Sequence, residues 1–315
     1  MTDLTNPIFQ DVNKARKHLE AMRWADGRFC PHCGTYEATS FVRGKKHRPG
    51  LYYCNDCKKT FTVTVGTVFE RSKVPLNKWL LATHLLTSSK KGMSAHQLHR
   101  MLGVTYKTAW FMAHRIREAM IDKHPGPMGG EGKSVQADET YFGQVENPRT
   151  VTMSGRPFTK SGKSGPSNKR AVVSLVSEGK ARTFHVKHAN AETVREILVA
   201  NVKRETELHT DESRIYTRVG EEFKAHKTVN HSRGKYVRPD GMTTNNVENY
   251  FSVFKRGMKG VYQHCKEKHL QRYLTEFDFR YNRRDLTDTE RAQEALKGIE
   301  GKRLTYRRTP VGQNV

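Results

Sequence analysis

"KSVQADETYFG", residues 133–143, marks the point at which the periodicity of the chain changes. Val135 and Ala137 fall on one side of an alternating pattern and Gln136 and Asp138 on the other, which predicts a strand with one apolar face. Immediately upstream, "HPGPMGGEGK" (124–133) is rich in Pro and Gly and predicts a domain boundary. Downstream, "KRAVVSLVSEG" (169–179) and "ARTFHVKHA" (181–189) predict two further strands joined through Glu178-Gly179-Lys180. "AETVREILVANV" (191–202) predicts a helix, "ELHTDES" (207–213) a short strand ending in acid, and "KAHKTVNHS" (224–232) another strand. A meander followed by strands alternating with helices predicts an α/β domain on a mixed sheet flanked by helices.

The next segment, "NNVENYFSVFKRGMKG" (245–260), predicts an amphipathic helix. Val247, Phe251, Phe254 and Met258 form its apolar stripe, while Asn245, Glu248, Ser252 and Lys255 share a polar one. Glu248 and Lys255 are two turns apart on the same face. Taken alone, Glu248 also fits the third position of a capping box begun by Asn245, with Lys255 a solvated cation near the helix end. A last helix, "KHLQRYLTEFDFRYNRR" (268–284), aligns Leu270, Tyr273, Leu274, Phe277 and Tyr281 inward. Its Arg272, Arg280, Arg283 and Arg284 are expected on a basic surface.

On the amino-terminal side of the boundary, Ile8, Val12, Ala15, Leu19 and Met22 predict one short amphipathic helix. Cys30-x2-Cys33 and Cys54-x2-Cys57 follow, separated by residues 34–53. In a chain without export signals, two such pairs point to a structural four-thiolate zinc site rather than disulfides. The fifth thiol, Cys265, is expected as a small packing residue. "LNKWLLATHLLTSSKKG" (76–92) predicts a buried helix. In "MSAHQLHRMLGVTYKTAWFMAHRIREAM" (93–120), Ser94 caps one helix, Gly103 makes a turn and Thr105 caps a second, with Ala109, Met112, Ile116 and Met120 inward. That is a helix-turn-helix layout, which would present Tyr106, Lys107 and either His114 or Arg115 to a DNA groove. An ordinary helical hairpin has the same pattern.

The chain has 315 residues with 56 Lys+Arg against 32 Asp+Glu, a net charge of +24. The isoelectric point near 9.9 and mean hydropathy of −0.78 point to a polyanionic partner, nucleic acid above all. No apolar run approaches a membrane span, and the first residues lack a signal-peptide layout. A cytoplasmic, nucleoid-associated protein with no membrane partner is expected. "SGRPFTKSGKSGPSNKR" (154–170) has five basic residues and no acidic one, and predicts a loop whose Lys160 and Lys163 touch a phosphate backbone.

Asp138, Asp211 and Glu248 occupy two strand ends and a helix start, which meet at the same edge of such a sheet. Clustered carboxylates need cations, and hard oxygen ligands suit Mg²⁺ or Mn²⁺. At this point the sequence resembles the DDE-type bacterial insertion-sequence transposases that carry a zinc ribbon before a ribonuclease-H-like catalytic domain. The resemblance is carried by "CPHCG", "YYCNDCKKTFTVTVGTVFE", "ADETYFG", "HTDES", "VNHSRGKYV", "TTNNVENYFSVFKRGMKGVYQH" and "HLQRYLTEFDFRYNRR" in that order. It implies that Asp138, Asp211 and Glu248 are the catalytic, metal-binding triad and that Lys255 contacts DNA. Asn246 is the alternative third position. It also implies binding of transposon ends and target DNA as double strands, strand cleavage and transfer, and a homo-oligomeric synaptic complex.

The expected organisation is a helix over 1–24, a zinc ribbon over 25–70, and a helical DNA-binding domain over 71–123. A linker over 124–133, a catalytic domain over 134–285 and a tail over 286–315 complete it. A nuclease that does not transpose, and a zinc-ribbon regulator that only binds DNA, are the competing functions.

Overall fold

The computed structural model describes residues 4–44, 46–146, 155, 168–229 and 243–305. The chain forms two compact units, one of Met1–Ile121 with Asp285–Val315, the other of Asp122–Arg284.

The first unit opens with α1 (Pro7–Gln10) and α2 (Val12–Arg23) where the periodicity predicted one helix. Asp11 causes the break: its extended backbone ends α1, and its carboxylate accepts the Lys14 N–H at 2.7 Å to start α2. Ala15 and Leu19 are buried as expected, but Val12 is exposed and Phe9 takes the inward place against His84. Three short antiparallel strands follow, β1 (Thr39–Phe41), β2 (Tyr52–Cys54) and β3 (Thr60–Phe61), in the order β1-β2-β3. Helix α3 (Leu76–Ser88) is buried almost all round. Helices α4 (Ala95–Leu102) and α5 (Tyr106–Ala119) carry the expected caps: Ser94 accepts from Gln97 N–H and Thr105 from Thr108 N–H. Gly103 between them is left-handed at φ 60°, a conformation only glycine adopts without strain.

The second unit is a five-stranded sheet in the order β6-β5-β4-β7-β8. The long strands β4 (Ser134–Gln144), β5 (Lys169–Ser177) and β6 (Lys180–Val186) form the antiparallel meander. After α6 (Ala191–Asn201), β7 (Glu207–Thr210) adds to β4 in parallel. A short helical turn, α7 (Thr217–Gly220), leads to β8 (Ala225–Thr228), parallel to β7. Next come α8 (Asn245–Gly257) and α9 (Leu270–Asn282). The mixed sheet with helices on both faces is ribonuclease-H-like, as the sequence predicted.

Strand β5 shows why its sequence does not alternate. Val173 and Leu175 face α6, whereas Val172 and Val176 face α8 and α9, so both sides are covered and the run is continuously apolar. Val247, Phe251, Phe254 and Met258, the stripe read from sequence, are all buried on the α8–α9 side. Truncating Phe254 to Ala would cost about 3–5 kcal/mol.

Two expectations are corrected here. Arg280 is not on a basic surface but 6% exposed, paired on α9 with the fully buried Glu276, which also accepts from Tyr262 Oη. Its helical phase places it one step from Phe277 and Tyr281, and a buried ion pair is what lets a guanidinium sit there. Residues 286–315 are not simply a tail. They carry α10 (Asp288–Lys297), opened by a full capping box between Thr287 and Glu290. Its Ala292, Ala295 and Leu296, with Ile299, are buried in the first unit. Val68 N–H donates to Ile299 O, Gly301 N–H to Gly66 O, and Arg23 pairs with Glu300 at 2.5 Å. Part of the expected linker is likewise structured: Met128 pairs with Val202 and exchanges backbone hydrogen bonds with Asn201 and Lys203.

Asp278 on α9 is half-buried. It accepts from Thr183 N–H at 2.9 Å, Thr183 Oγ1 at 2.8 Å and Tyr250 Oη at 2.5 Å, tying β6, α8 and α9 together. Burial raises its pKa from 3.8 to about 7 against the opposing effect of these donors. Between those values the unfolded chain has lost a proton that the folded chain keeps, so stability falls as pH rises through that window. Thermal midpoints of the Asp278→Asn variant across pH 4–7 should therefore show a flatter pH dependence than those of the parent. A parallel pair of curves would refute this role.

Candidate active site and metal centres

The ribbon presents its cysteines from two matching knuckles. Cys30 N–H donates to Thr35 O, and Cys54 N–H to Lys59 O. The residue after each second cysteine, Gly34 and Lys58, lies in the left-handed region at φ 84° and 56°. The four Sγ atoms all come within 4.8 Å of one another, with Cys30 and Cys54 buried. Burial, together with hydrogen bonds from the neighbouring thiols, pushes Cys57 up to about 12, so four thiolates cannot coexist there without a cation. A four-sulfur donor set of this span fits Zn²⁺ with every position filled by protein. Trp24, Tyr52 and Phe61 pack edge-on and stacked behind the site, a small aromatic core. Cys265, by contrast, is half-buried and its Sγ donates to Lys266 O.

In the helix-turn-helix segment, Tyr106 and Lys107 are exposed at the start of α5. The Tyr106 ring lies 4.3 Å from that of His96 on α4, which holds it in place. His114 and Arg115 cannot reach a groove. His114 is buried against Trp110, and Arg115 donates to Glu70 O at 2.6 Å while lying over Trp79. They fall on the same inward side as Met112 and Ile116, and the cationic appearance of "HRIRE" hid that. Lys160 and Lys163 lie outside the described residues.

At the sheet edge, the parallel pairing of β4 with β7 sets Gln136 opposite His209. Two residues further along each strand come Asp138 and Asp211. Their carboxylates and that of Glu139 all lie within 4.8 Å of one another. Asp138 Oδ1 accepts its neighbour's N–H at 2.7 Å, Asp211 Oδ1 accepts Ser213 N–H at 3.0 Å, and Glu139 Oε2 accepts Tyr216 Oη at 2.9 Å. Glu139 was not anticipated, because strict alternation turns it away from Asp138. The residue that redirects it, the fully buried Tyr216, is distant in sequence and gave no signal.

Glu248, on α8, is not in that 4.8 Å group but opens onto the same pocket as two of its members. It lines, with Asp138 and Glu139, an open pocket of about 750 Å³ that Lys255, Arg256 and Lys259 line as well, Lys255 and Arg256 from further along the same helix. The capping box begun by Asn245 is not formed: Asn245 is already helical, Thr244 is the N-cap, and Thr244 Oγ1 donates to Glu248 Oε1 at 3.0 Å. The helix start is capped instead by Gln136, whose buried Oε1 accepts Asn246 N–H at 3.1 Å and Val247 N–H at 3.2 Å. Asn246 is exposed and gives this site its backbone N–H.

Burial, then the charges of Glu139, Asp211 and more weakly Glu248, raise Asp138 from 3.8 to about 8. Burial also raises Glu139, with Asp211 adding to it. Burial lowers Lys255, as do Lys259 and Lys169, against the pull of Asp138. An all-oxygen cluster that resists ionising by itself fits a hard divalent cation.

Two family models match the chain, one described as an ISXO2-like transposase domain over residues 129–282 and one as a transposase zinc-ribbon domain over residues 11–60. The chain belongs to the zinc-ribbon insertion-sequence transposases. Among relatives, an uncharacterized protein in transposable element ISH50 from Halobacterium salinarum is 29% identical over 279 residues, covering 86% of this chain and 91% of that one. A solved structure, the cryoEM structure of a simian T-cell lymphotropic virus intasome in complex with PP2A regulatory subunit B56 gamma, is similar at 11% identity. It covers 63% of this chain and 64% of that chain, with a TM-score of 0.28, too loose a superposition to bear on fold or function. The four-cysteine site is thus a transposase zinc ribbon. Among the described residues, no helix of this transposase is long and apolar enough to cross a membrane.

Purified transposase should contain about one zinc per chain, since folding of such ribbons is coupled to metal. Elemental analysis of the parent and of Cys30→Ser tests this. Chelation should release the metal and expose the ribbon amides to hydrogen exchange, while amides of β4 and β5 stay protected.

Proposed function

We propose that this transposase binds the ends of its own element as double-stranded DNA and cuts and rejoins phosphodiesters with two divalent cations. The observation that carries this is the grouping of the Asp138, Glu139 and Asp211 carboxylates within 4.8 Å of one another on a chain with net charge +24, with Glu248 and Lys255 lining the pocket that Asp138 and Glu139 also line. Asp138, Glu139 and Asp211 would hold one cation, and Asp138 with Glu248 a second. Mg²⁺ or Mn²⁺ bound there would activate the attacking oxygen and stabilise the leaving one. In cleavage, water attacks phosphorus and the P–O3′ bond breaks, leaving a 3′-hydroxyl and a 5′-phosphate. In transfer, that 3′-hydroxyl attacks a target phosphodiester, so one P–O bond forms as another breaks and no cofactor is consumed.

The remaining residues position these groups. Tyr216 Oη orients the Glu139 carboxylate, Gln136 sets α8 so that Glu248 faces Asp138, and Lys255 neutralises the scissile phosphate. Tyr106 and Lys107 select the ends, whereas Lys160 and Lys163 add affinity that ignores sequence. Pairing two ends calls for a homo-oligomer.

The test uses duplexes copied from the DNA bordering the chain's own coding sequence, with Mg²⁺ or Mn²⁺. Asp138→Asn, Asp211→Asn and Glu248→Gln should each abolish cutting with little change in thermal midpoint. Normal cutting by Glu248→Gln alongside a dead Asn246→Ala would move the third position to Asn246. Cutting by the parent without any joining would leave a plain nuclease. Tyr216→Phe, which removes only an outer-shell hydroxyl, should lower cleavage or cation affinity about 10–100-fold, and raising Mn²⁺ should recover part of that activity.

A further inference from the structure

The basic wall of the pocket extends beyond the one lysine that the family resemblance assigns. Lys255 is half-buried, whereas Arg256 and Lys259 are exposed, and all three line the pocket that holds Asp138, Glu139 and Glu248. Among the described residues none of the three forms an ion pair within 4 Å. Arg256 Nε donates to Ser252 O at 3.2 Å, and Lys255 Nζ lies 6.0 Å from the Phe251 ring centre. Three cations within five residues repel one another, and the carboxylates that share the pocket with them are those the proposed divalent cations would neutralise. Once these acids are engaged, no other acidic side chain among the described residues lines the pocket, and an anion brought in from outside would offset the three cations.

The backbone changes where this wall continues. After Gly257, α8 widens into a π-helical turn over Met258–Tyr262, which ends at Gln263 with φ 56°. Such turns are rare and concentrate at functional sites. This one carries Lys259 and the exposed backbone of Gly260 along the pocket, about 6 Å of helix rise beyond Lys255. That distance is on the scale of neighbouring phosphates in one strand.

We propose that Lys259, with Arg256, binds the backbone phosphate next to the scissile one, so that the strand is held at two successive phosphates along α8. This rests on the phosphodiester-cutting function proposed above. The ligand is a DNA strand phosphate, and Lys259 is a positioning residue that does not touch the reacting atoms.

Two experiments test it with the full chain. The first measures binding of a 3′-recessed duplex of arbitrary sequence against salt, with Ca²⁺ present in place of Mg²⁺. Lys259→Gln should reduce the slope of log affinity on log salt by roughly 0.9, the change expected when one phosphate is no longer neutralised, and Lys259→Arg should restore it. The residue is exposed, so the thermal midpoint should not move. The second places a single neutral methylphosphonate at successive positions around the cut mapped with the parent. The parent should bind less tightly when the phosphate beside the scissile one is neutral. Lys259→Gln should weaken little further from that same change, the coupling expected of direct binding between the two groups.

An unchanged salt slope in Lys259→Gln, or equal methylphosphonate effects in parent and variant at every position, overturns the proposal. Failure of the parent to cut any duplex overturns the functional reading. The salt arm then still decides whether Lys259 binds a phosphate.

Discussion

One buried amide oxygen ties the catalytic unit together. Gln136 Oε1 accepts two backbone N–H groups at the start of α8, more than a hundred residues away in sequence. The first turn of a helix leaves its N–H groups without partners, and here the partner comes from the central strand. Gln136 and Asp138 share a strand face, and Val247 and Glu248 are adjacent, so a single acceptor fixes the distance between two acids on different elements. A leucine of similar size would leave the buried Val247 N–H unsatisfied, at about 1–3 kcal/mol, and the exposed Asn246 N–H without its protein acceptor. Removing that oxygen would therefore disturb the site before it disturbed the core.

That tie explains how a strongly basic chain can keep carboxylates in one place. Two unit charges 4 Å apart interact by about 4 kcal/mol in the effective dielectric of a protein surface. Asp138, Glu139 and Asp211 accept from main-chain N–H groups and from Tyr216, and among the described residues none of them forms an ion pair with a cationic side chain. Lys255, Arg256 and Lys259 line the same pocket without pairing with them. Direct pairing would have satisfied the acids internally and left them unavailable to a metal ion.

How far the sequence revealed this depended on the range of the interaction. The meander over β4, β5 and β6, the helix stripes of α8 and α9, and the caps at Ser94 and Thr105 are local patterns, and the structure reproduces them. The paired knuckles were legible because ligand spacing is itself local. Glu139 was invisible because its direction is set by Tyr216, 77 residues on. Arg280 and Arg115 misled because charge suggests a surface, while a buried partner, Glu276 or the Glu70 carbonyl, cannot be read from periodicity. The supposed capping box failed for the same reason: the sequence offered Asn245, and tertiary structure supplied Gln136. The helix after residue 286 was missed because its inward face is mostly alanine, a weak apolar signal.

The return of residues 285–305 to the amino-terminal unit has a consequence in time. The catalytic unit is inserted within the other one, so a ribosome finishes residues 122–284 before it releases Ala295, Leu296 and Ile299. The unit bearing the ribbon and the helix-turn-helix segment lacks these buried side chains, and the Glu300 partner of Arg23, until the chain has been made past residue 300. A chain that stopped near residue 284 would hold all of the 122–284 unit while the other unit still lacked part of its buried core.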